Sequence, residues 1–259
     1  KYGTVAVKIQ TPEGKEQANA IMQEIDLHEH MCSQSPKVVQ LYRKLIAEPE
    51  YHMIMERMTC SLACMVMPLT EEETATVMSD TLEALNVIHI EGVAHRDIKP
   101  DNLMLSMEGD VKICDFGLSA FDGDEAQLAG TLVYLPPEVA EEYLFHQNDP
   151  TLRAGFAMDL WALGITAYEF VCARVPFEDP DLHVMTEWIY NSPAPRLPTE
   201  GKFSEELRDF IAQCLTKDPA NRPKTADMLL HPFLDHEKVA AGRISLKNRA
   251  DVYRSTVRR

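Results

Sequence analysis

The stretch HRDIKPDN at residues 95–102, followed by DFG at residues 115–117, decides how the rest of this sequence is interpreted. Between the two motifs lie the short apolar runs NLMLSM and VKICDF, on either side of EGD. Short apolar runs around such a turn signal favour a β-hairpin. Two polar motifs at this spacing would be negligibly rare by chance, so they are the most specific signal in the chain.

The region before these motifs has the pattern of a small sheet with one helix. VAVKIQ alternates and is rich in β-branched residues, which favours a strand. After the turn signal TPEG, the run KEQANAIMQEIDLHEHM places Ile21 and Ile25 on one face of a helix. KVVQLY and YHMIMERM are further apolar runs with strand character. We therefore expect a sheet with a single helix here.

The region that follows is predicted to be mainly helical. Thr70 and the acidic residues 71–73 have the form of a helix N-cap with an acidic first turn, and Gly92 supplies a stop signal. Helical periodicity returns in DLWALGITAYEFVCA, ELRDFIAQCLTK and TADMLLHPFL. The sequence thus predicts a small β-rich lobe, joined near residues 56–58 to a larger helical lobe.

Composition restricts the function classes. With 259 residues, 45% of them hydrophobic, the chain can bury a substantial core. A formal net charge of -16 argues against a nucleic-acid partner, because phosphates would be repelled over most of the surface. The sequence has no run near the roughly 20 apolar residues of a membrane span, no leader pattern and no CxxC pair. We expect a soluble cytoplasmic or nuclear protein with reduced cysteines.

The motifs together resemble the protein kinase superfamily over nearly the whole chain. HRDIKPDN and DFG are joined by VAVK at residues 5–8, GTLVYLPPE at 130–138, and NRP and HPF near the end. The resemblance is to eukaryotic-type serine/threonine kinases. LTKDPANRPKTADMLLHPFL is similar to both Ste20-like and calcium/calmodulin-type members.

This resemblance implies an α+β, two-lobed fold. The expected parts are an N-lobe over residues 1–57, a C-lobe over 58–236 with the catalytic loop and activation segment, and a basic tail over 237–259. It also implies a serine/threonine protein kinase, which transfers the γ-phosphate of ATP to a protein hydroxyl with Mg²⁺ as cofactor.

The resemblance assigns roles to the polar residues of the two motifs. Asp97 would accept or orient the proton of the substrate hydroxyl. Lys99, spaced as in serine/threonine kinases, would place a cation near the transferred phosphate. Asn102 and Asp115 would be the magnesium ligands, because Mg²⁺ prefers hard oxygen donors.

The nucleotide site is also assigned by resemblance. Lys8 would hold the α- and β-phosphates, and Glu24 in the following helix would be its ion-pair partner. The adenine would lie at a hinge and between two apolar faces; the residues expected there are Ala6, Met55, Glu56, Met58 and Met104. Cys114 either faces this pocket or is a buried inert thiol. His28, where the family has an aliphatic residue, is either a core-packed neutral histidine or a pH-sensitive coupling between the lobes.

Other motif residues are expected to support the architecture or regulation. Thr131 would brace Asp97 and Lys99, Glu138 would pair with Arg222, and Asp159 would connect its helix to the catalytic loop. In FDGDEAQLAG the central part lacks Ser and Thr. There Asp122, Asp124 or Glu125 would supply an anion for Arg96, or the acidic turn is simply solvated. AEEYLFHQNDPTLRAGFAM is predicted to contain an insertion.

Two features bear on partners. Asp101 and Glu169 match positions that in basophilic kinases hold an arginine upstream of the phosphorylated hydroxyl, so a substrate with upstream basic residues is predicted. From residue 240 onward the tail carries six basic residues against the single acid Asp251. A solvated, disordered tail is expected, the alternatives being a tail that folds back on the acidic body or binds an acidic partner.

The opening stretch KYGTVAVKIQ departs from the family pattern. Only Ala6 and Val7 separate Val5 from Lys8, where the family has room for a glycine-rich loop and a return strand. We therefore expect an N-lobe without most of that loop. The alternative to an active kinase is a catalytically impaired kinase-like scaffold or truncated product. A pseudokinase commonly lacks one of the motif residues, all of which are present here.

Overall fold

The computed structural model describes residues 3–125, 131–145, 153 and 155–257. Its small lobe is a three-stranded antiparallel sheet with one helix. The strands β1 (Val5–Gln10), β2 (Leu41–Ala47) and β3 (Glu50–Glu56) lie in the order β1-β3-β2, and the helix α1 (Lys15–Gln34) follows β1. Ile21 and Ile25 of α1 pack with Met53 of β3, so the predicted apolar face of this helix is confirmed.

The run KVVQLY does not form the strand predicted from its composition. β2 begins only at Leu41, whereas Val38 makes an isolated bridge to Ile113 of the other lobe. Val38 and Val39 are almost completely buried, and Val39 N donates to Ile113 O. These two valines therefore serve the contact between the lobes.

The large lobe begins with short strands and a long helix. The helix α2 (Glu71–Ile90) has a complete capping box between Thr70 and Glu73, as its sequence predicts. The predicted hairpin is present as β6 (Leu103–Leu105) and β7 (Val111–Ile113). The other short strands are β4 (Cys60–Ser61), β5 (Val93–Ala94) and β8 (Ala120–Phe121).

Helices make up the remainder of this lobe. They are α3 (Pro137–Phe145), α4 (Phe156–Cys172), α5 (Leu182–Asn191), α6 (Glu205–Cys214), α7 (Thr225–Met228) and α8 (His236–Val257). The helix α4 is buried along nearly its whole length, with Trp161 and Phe170 in the main hydrophobic core. An α+β fold with a small β-rich lobe and a large helical lobe is thus confirmed. Among the described residues, no helix has both the length and the apolar composition needed to cross a bilayer.

The expectation of a disordered tail from residue 240 onward is wrong, because the chain is helical over residues 236–257. These residues form α8, which packs along α2 and buries Leu246 and Ala250 completely. Gly242 permits the approach, since a Cβ atom there would lie 1.9 Å from Glu72 O. Arg249 binds the buried Glu73 at 2.6 Å. The tail therefore folds back on the acidic body, because apolar burial and ion pairs offset the entropy of ordering it.

Candidate active site

The loop at residues 95–102 holds a compact polar network around Asp97. Lys99 Nζ lies 3.0 and 2.8 Å from the two Asp97 carboxylate oxygens and donates to Thr131 Oγ1 at 2.7 Å. Asn102 Nδ2 donates to Asp97 O at 2.8 Å and to Asp97 Oδ2 at 2.7 Å. The expected contact of Thr131 with Asp97 and Lys99 is present. The network holds the Asp97 carboxylate in one orientation.

A buried carboxylate of α4 holds this loop from behind. Asp159 is completely buried and accepts hydrogen bonds from His95 N at 2.8 Å and Arg96 N at 2.6 Å. Arg96 has a φ of 69°, a strained conformation for a non-glycine residue. The predicted connection between Asp159 and the loop is confirmed, and it offsets the strain at Arg96.

His89 is a member of this network that sequence reasoning missed. Its Nε2 lies 2.9 Å from Asp159 Oδ2, its Nδ1 lies 2.6 Å from Thr225 Oγ1, and its ring stacks on Phe156. Burial alone would raise the pKa of Asp159, but His89, together with His95 and the Arg96 amide, outweighs it and lowers that pKa. Asp159 is therefore ionised and accepts from the loop. The available signal was a histidine in the last turn of α2.

A second polar group joins the two lobes. Lys8 Nζ lies 2.7 Å from Glu24 Oε1 and 3.0 Å from Asp115 Oδ1. Burial alone would lower the pKa of Lys8, but Glu24 and Asp115 outweigh it and raise that pKa. In the same way, Lys8 overcomes burial and lowers the pKa of Asp115. All of these contacts are therefore charge-assisted at neutral pH.

The two groups face one cavity of about 320 Å³. Its lining includes Lys8, Gln10, Glu24, Asp97, Asp115 and Gly117. Asn102 does not line this cavity, but it binds Asp97, which does; because its Nδ2 is committed to Asp97, its side-chain Oδ1 is the atom left for a cation. Asp115 Oδ1 is bound by Lys8 and Gly117 N. An amide oxygen and a carboxylate are the donor types that Mg²⁺ prefers, so these residues fit that ion.

The residues expected around adenine lie on β1, β3, the segment after β3, and β6. Ala6 pairs with Met55 across β1 and β3, and Met104 is in β6. Glu56 ends β3, and its carboxylate binds Lys112 Nζ at 2.9 and 2.7 Å. Sequence reasoning missed this pair.

Met58 lines a different hollow, of about 300 Å³, beside the end of α8. The structure thus groups Lys8, Glu24, Asp97 and Asp115 around one cavity. Met58, in the connection from β3 to β4, does not line that cavity and instead lies near the end of α8.

His28 is buried and Cys114 is partly buried, and both lie near Asp115. His28 is 1% exposed, its Nε2 lies 2.7 Å from Val39 O, and its ring meets the edge of Phe116. Burial lowers the pKa of His28, which supports a neutral core histidine. Burial raises the pKa of Cys114 to about 12, so its thiol stays protonated and inert at neutral pH.

The expected structural ion pair is present. Arg222 is fully buried at its side chain and binds the two Glu138 oxygens at 2.9 and 3.0 Å. Arg222 also donates to three backbone carbonyls, those of Ala157, Thr216 and Lys217. The Glu138 segment is thereby fastened to the end of the large lobe.

The activation segment is described only in part. Arg96 donates to Leu118 O at 3.2 Å, and the exposed Glu125 lies 3.8 Å from Arg153. The hypothesis that an acid of this segment serves Arg96 stays a prediction. Residues 126–130, and residues 146–152 and 154 of the predicted insertion, lie outside the described residues.

Comparisons with known proteins identify the family that this chain resembles. The family model "Protein kinase domain" matches residues 2–234. Human serine/threonine-protein kinase PAK 4 is 35% identical over 78% of this chain, and serine/threonine-protein kinase 4 homolog B of Dictyostelium discoideum is 33% identical over 92%. A Caenorhabditis elegans calcium/calmodulin-dependent protein kinase kinase is 38% identical over 66%. The chain spans between 21% and 34% of the length of these relatives.

Proposed function

This chain belongs to the protein kinase family, and from that premise we propose that it transfers the γ-phosphate of ATP to a serine or threonine hydroxyl of a protein. The observation that carries the proposal is the single cavity shared by the Asp97 loop and the Lys8, Glu24 and Asp115 group. Phosphoryl transfer needs a carboxylate for the substrate hydroxyl and a cation for the phosphates, and Asp97 and Lys8 line the same cavity.

Asp97 takes the proton of the attacking hydroxyl in this mechanism. The carboxylate is held by Lys99 and Asn102, so it meets the hydroxyl in a fixed orientation. Lys99 also lies where a cation would stabilise negative charge on the transferred phosphoryl group. Thr131 Oγ1 accepts from the Lys99 ammonium at 2.7 Å and donates to Asp97 Oδ1 at 3.4 Å, so it positions both groups.

Lys8, Asn102 and Asp115 bind the nucleotide phosphates and their ion. Lys8 contacts the α- and β-phosphates, and Glu24 keeps its ammonium directed into the cleft. Asn102 and Asp115 would hold Mg²⁺, which would supply positive charge to the phosphates. The adenine would be held by Met55 and the main chain of Glu56 and Met58, with Ala6 and Met104 covering its two faces.

The substrate is proposed to carry basic residues upstream of its hydroxyl. Glu169 accepts a hydrogen bond from Tyr134 Oη at 2.6 Å. Burial, and then the like charges of Asp101 and Glu178, raise the pKa of Glu169 despite that bond. The partly buried Glu169 carboxylate, with the exposed carboxylates of Asp101 and Glu178 near it, favours a cationic guest. Peptide libraries with and without arginine upstream of the hydroxyl test this preference.

We also propose a cytoplasmic or nuclear location. The supporting observation is that all six cysteines are free thiols, as in reducing compartments. Fractionation of cells that express the tagged chain tests it.

The deciding experiment is radiolabel transfer from ATP to a mixed peptide pool. We expect transfer by the wild type and a loss of about 10²- to 10⁴-fold in Asp97→Asn, because general-base catalysis is worth that much. Asp26→Asn makes the same chemical change at an exposed α1 carboxylate and should retain transfer. Nucleotide binding by the wild type without any transfer would instead indicate a kinase-like scaffold.

A further inference from the structure

The helix α8 lies beyond the part of the chain that matches the family, yet it contacts both α2 and the hairpin that leads to Asp115. On one side Gly242 packs against α2. On the other side Gly109, in the turn between β6 and β7, lies so close that a Cβ atom there would be 2.3 Å from Arg243 O. Gly109 has a φ of +87°, which glycine adopts without strain. Arg243 therefore enters between α2 and the hairpin that precedes Asp115.

At this point Arg243 joins a cluster of four charged side chains, here named the Asp80 cluster. Its members are Lys37, Asp80, Asp110 and Arg243. Arg243 binds both oxygens of Asp80 at 2.8 Å and also binds Asp110. Lys37 Nζ lies 2.5 Å from Asp80 Oδ1 and 3.4 Å from Asp110 Oδ1. Two carboxylates from the large lobe thus share one cation from α8 and one from the segment after α1.

The charge balance of the Asp80 cluster depends on both cations. Asp80 is completely buried, and besides these cations it accepts only from Val111 N, at 2.8 Å, among the described residues. Burial, together with Asp80, raises the pKa of nearby Glu83 despite Lys37. Without Arg243, a buried carboxylate would lose its bidentate partner. Lys37 would then remain as the single cation against Asp80 and Asp110.

Lys37 is the residue through which this cluster reaches the active site. Its carbonyl oxygen accepts from Ile113 N at 2.8 Å, and Val39 N returns a hydrogen bond to Ile113 O. Ile113 lies two residues before Asp115. The carbonyl of Val39 contacts His28 of α1, the helix that carries Glu24. The Lys37 segment therefore joins the end of α1 to the strand that leads to Asp115.

We infer that Arg243 is a positioning residue for phosphoryl transfer, acting from α8 through the Asp80 cluster and Lys37 on Glu24 and Asp115. The inference rests on the proposed function, since Glu24 and Asp115 are the two partners of Lys8 in the nucleotide site. It gives α8 a role in activity besides its contribution to stability.

Arg243→Gln tests this inference, with Arg249→Gln as its matched control. Arg249 also leaves α8 to bind a buried carboxylate of α2, Glu73, but it has no contact with the Asp80 cluster among the described residues. Both variants should lower the unfolding temperature. Only Arg243→Gln should lower kcat/KM for ATP, by about 2- to 30-fold, when measured well below both unfolding temperatures.

Two further measurements distinguish positioning from loss of stability. Arg243→Lys should restore part of the lost kcat/KM, because it returns the charge without the bidentate geometry. The effect of Arg243→Gln on kcat/KM should shrink in a Lys37→Met background, because the Lys37 side chain, through which Arg243 is proposed to act, no longer contacts Asp80. Equal kcat/KM losses in Arg243→Gln and Arg249→Gln, or strictly additive effects with Lys37→Met, would overturn the inference.

Hydrogen exchange separates failure of this inference from failure of the proposed function. If the wild type transfers no phosphate, the proposed function fails, but exchange of the α1 amides still reports the coupling. Arg243→Gln should speed exchange in residues 24–34 of α1, whereas Arg249→Gln should leave it as in the wild type. Unchanged α1 exchange in Arg243→Gln would overturn the coupling itself.

Discussion

His89 Nε2 lies 2.9 Å from Asp159 Oδ2, so the last turn of α2 is joined to the first turn of α4 directly behind the Asp97 loop. This contact is nearly buried, with the His89 side chain 8% exposed and that of Asp159 completely covered. It helps to keep the Asp159 carboxylate ionised, and this carboxylate accepts the hydrogen bonds of the His95 and Arg96 amides.

We expect His89→Leu to destabilise the protein by about 1 to 3 kcal/mol, because a buried carboxylate loses a hydrogen-bond donor. Transfer should fall as well, since the loop is held less firmly. Urea unfolding and the peptide assay measure the two effects. His30→Ala is the control: His30 also binds a carboxylate, Glu91 at 2.8 Å, but it is half exposed and should cost at most about 1 kcal/mol.

Arg222→Met should destabilise the protein strongly. The change leaves Glu138 without its partner and removes donors from three backbone carbonyls, so we expect a loss of about 3 to 5 kcal/mol. Arg222→Lys should recover little of it, because an ammonium cannot reproduce the guanidinium geometry. The midpoint of urea unfolding measures both variants, and full stability of Arg222→Lys would contradict the role given to the bidentate contact.

Gly242→Ala should be destabilising although it lies within a helix. In an isolated helix this change stabilises by about 1 kcal/mol. Here the new Cβ would lie 1.9 Å from the backbone oxygen of Glu72, so α8 must shift, at a cost of about 1 to 3 kcal/mol. Urea unfolding and limited trypsin digestion within α8 measure it. Ala241→Gly, at the exposed neighbouring position, should cost only the helix-propensity difference.

The stability of the protein should fall as the pH drops below about 6.5, the ordinary pKa of histidine. Burial lowers the pKa of His28 and of His95 in the folded state. Above the ordinary value both states are neutral; below it the unfolded chain binds protons that the folded chain does not. Each histidine therefore contributes a slope of up to about 1.4 kcal/mol per pH unit until its folded pKa is reached.

His28→Leu isolates one of these contributions. Unfolding free energies of wild type and variant at pH 7.5, 6.5 and 5.5 should diverge in favour of the variant as the pH falls. Glu24, Lys8 and Asp115 face the same position and are unchanged in it. His183→Ala removes an exposed histidine and should follow the wild-type profile. Parallel profiles for His28→Leu and wild type would show that His28 does not stay neutral when buried.

The contacts predicted correctly from sequence belong to residues whose types and spacing are set by local motifs. Thr131 beside Lys99, Glu138 with Arg222, and Asp159 behind the loop are in this class. Each of these residues belongs to a short motif of the sequence, and the structure brings the residues of different motifs into contact. The N-cap of α2 was predicted equally well, because a capping box is contained in four consecutive residues.

Other contacts were not predictable because nothing local indicates them. The Glu56–Lys112 pair joins a strand of the small lobe to the hairpin of the large one. Lys112 was an ordinary residue in an apolar run. The prediction of a disordered tail was wrong because it rested only on the basic charge of the segment and its place at the end of the chain. The tail's apolar side chains, Leu246 and Ala250, are buried only because α8 packs against α2.

The sequence by itself determined the family, the two-lobed fold and the identity of the polar groups around the cavity, because those groups occur in motifs of fixed spacing. Only the tertiary structure decided that α8 docks on α2, that His89 supports Asp159, and that Lys37 and Arg243 share Asp80 and Asp110. The physical reason is that these contacts join residues far apart in the chain. Their distances follow from packing the helices to full density, which no local pattern of residues specifies.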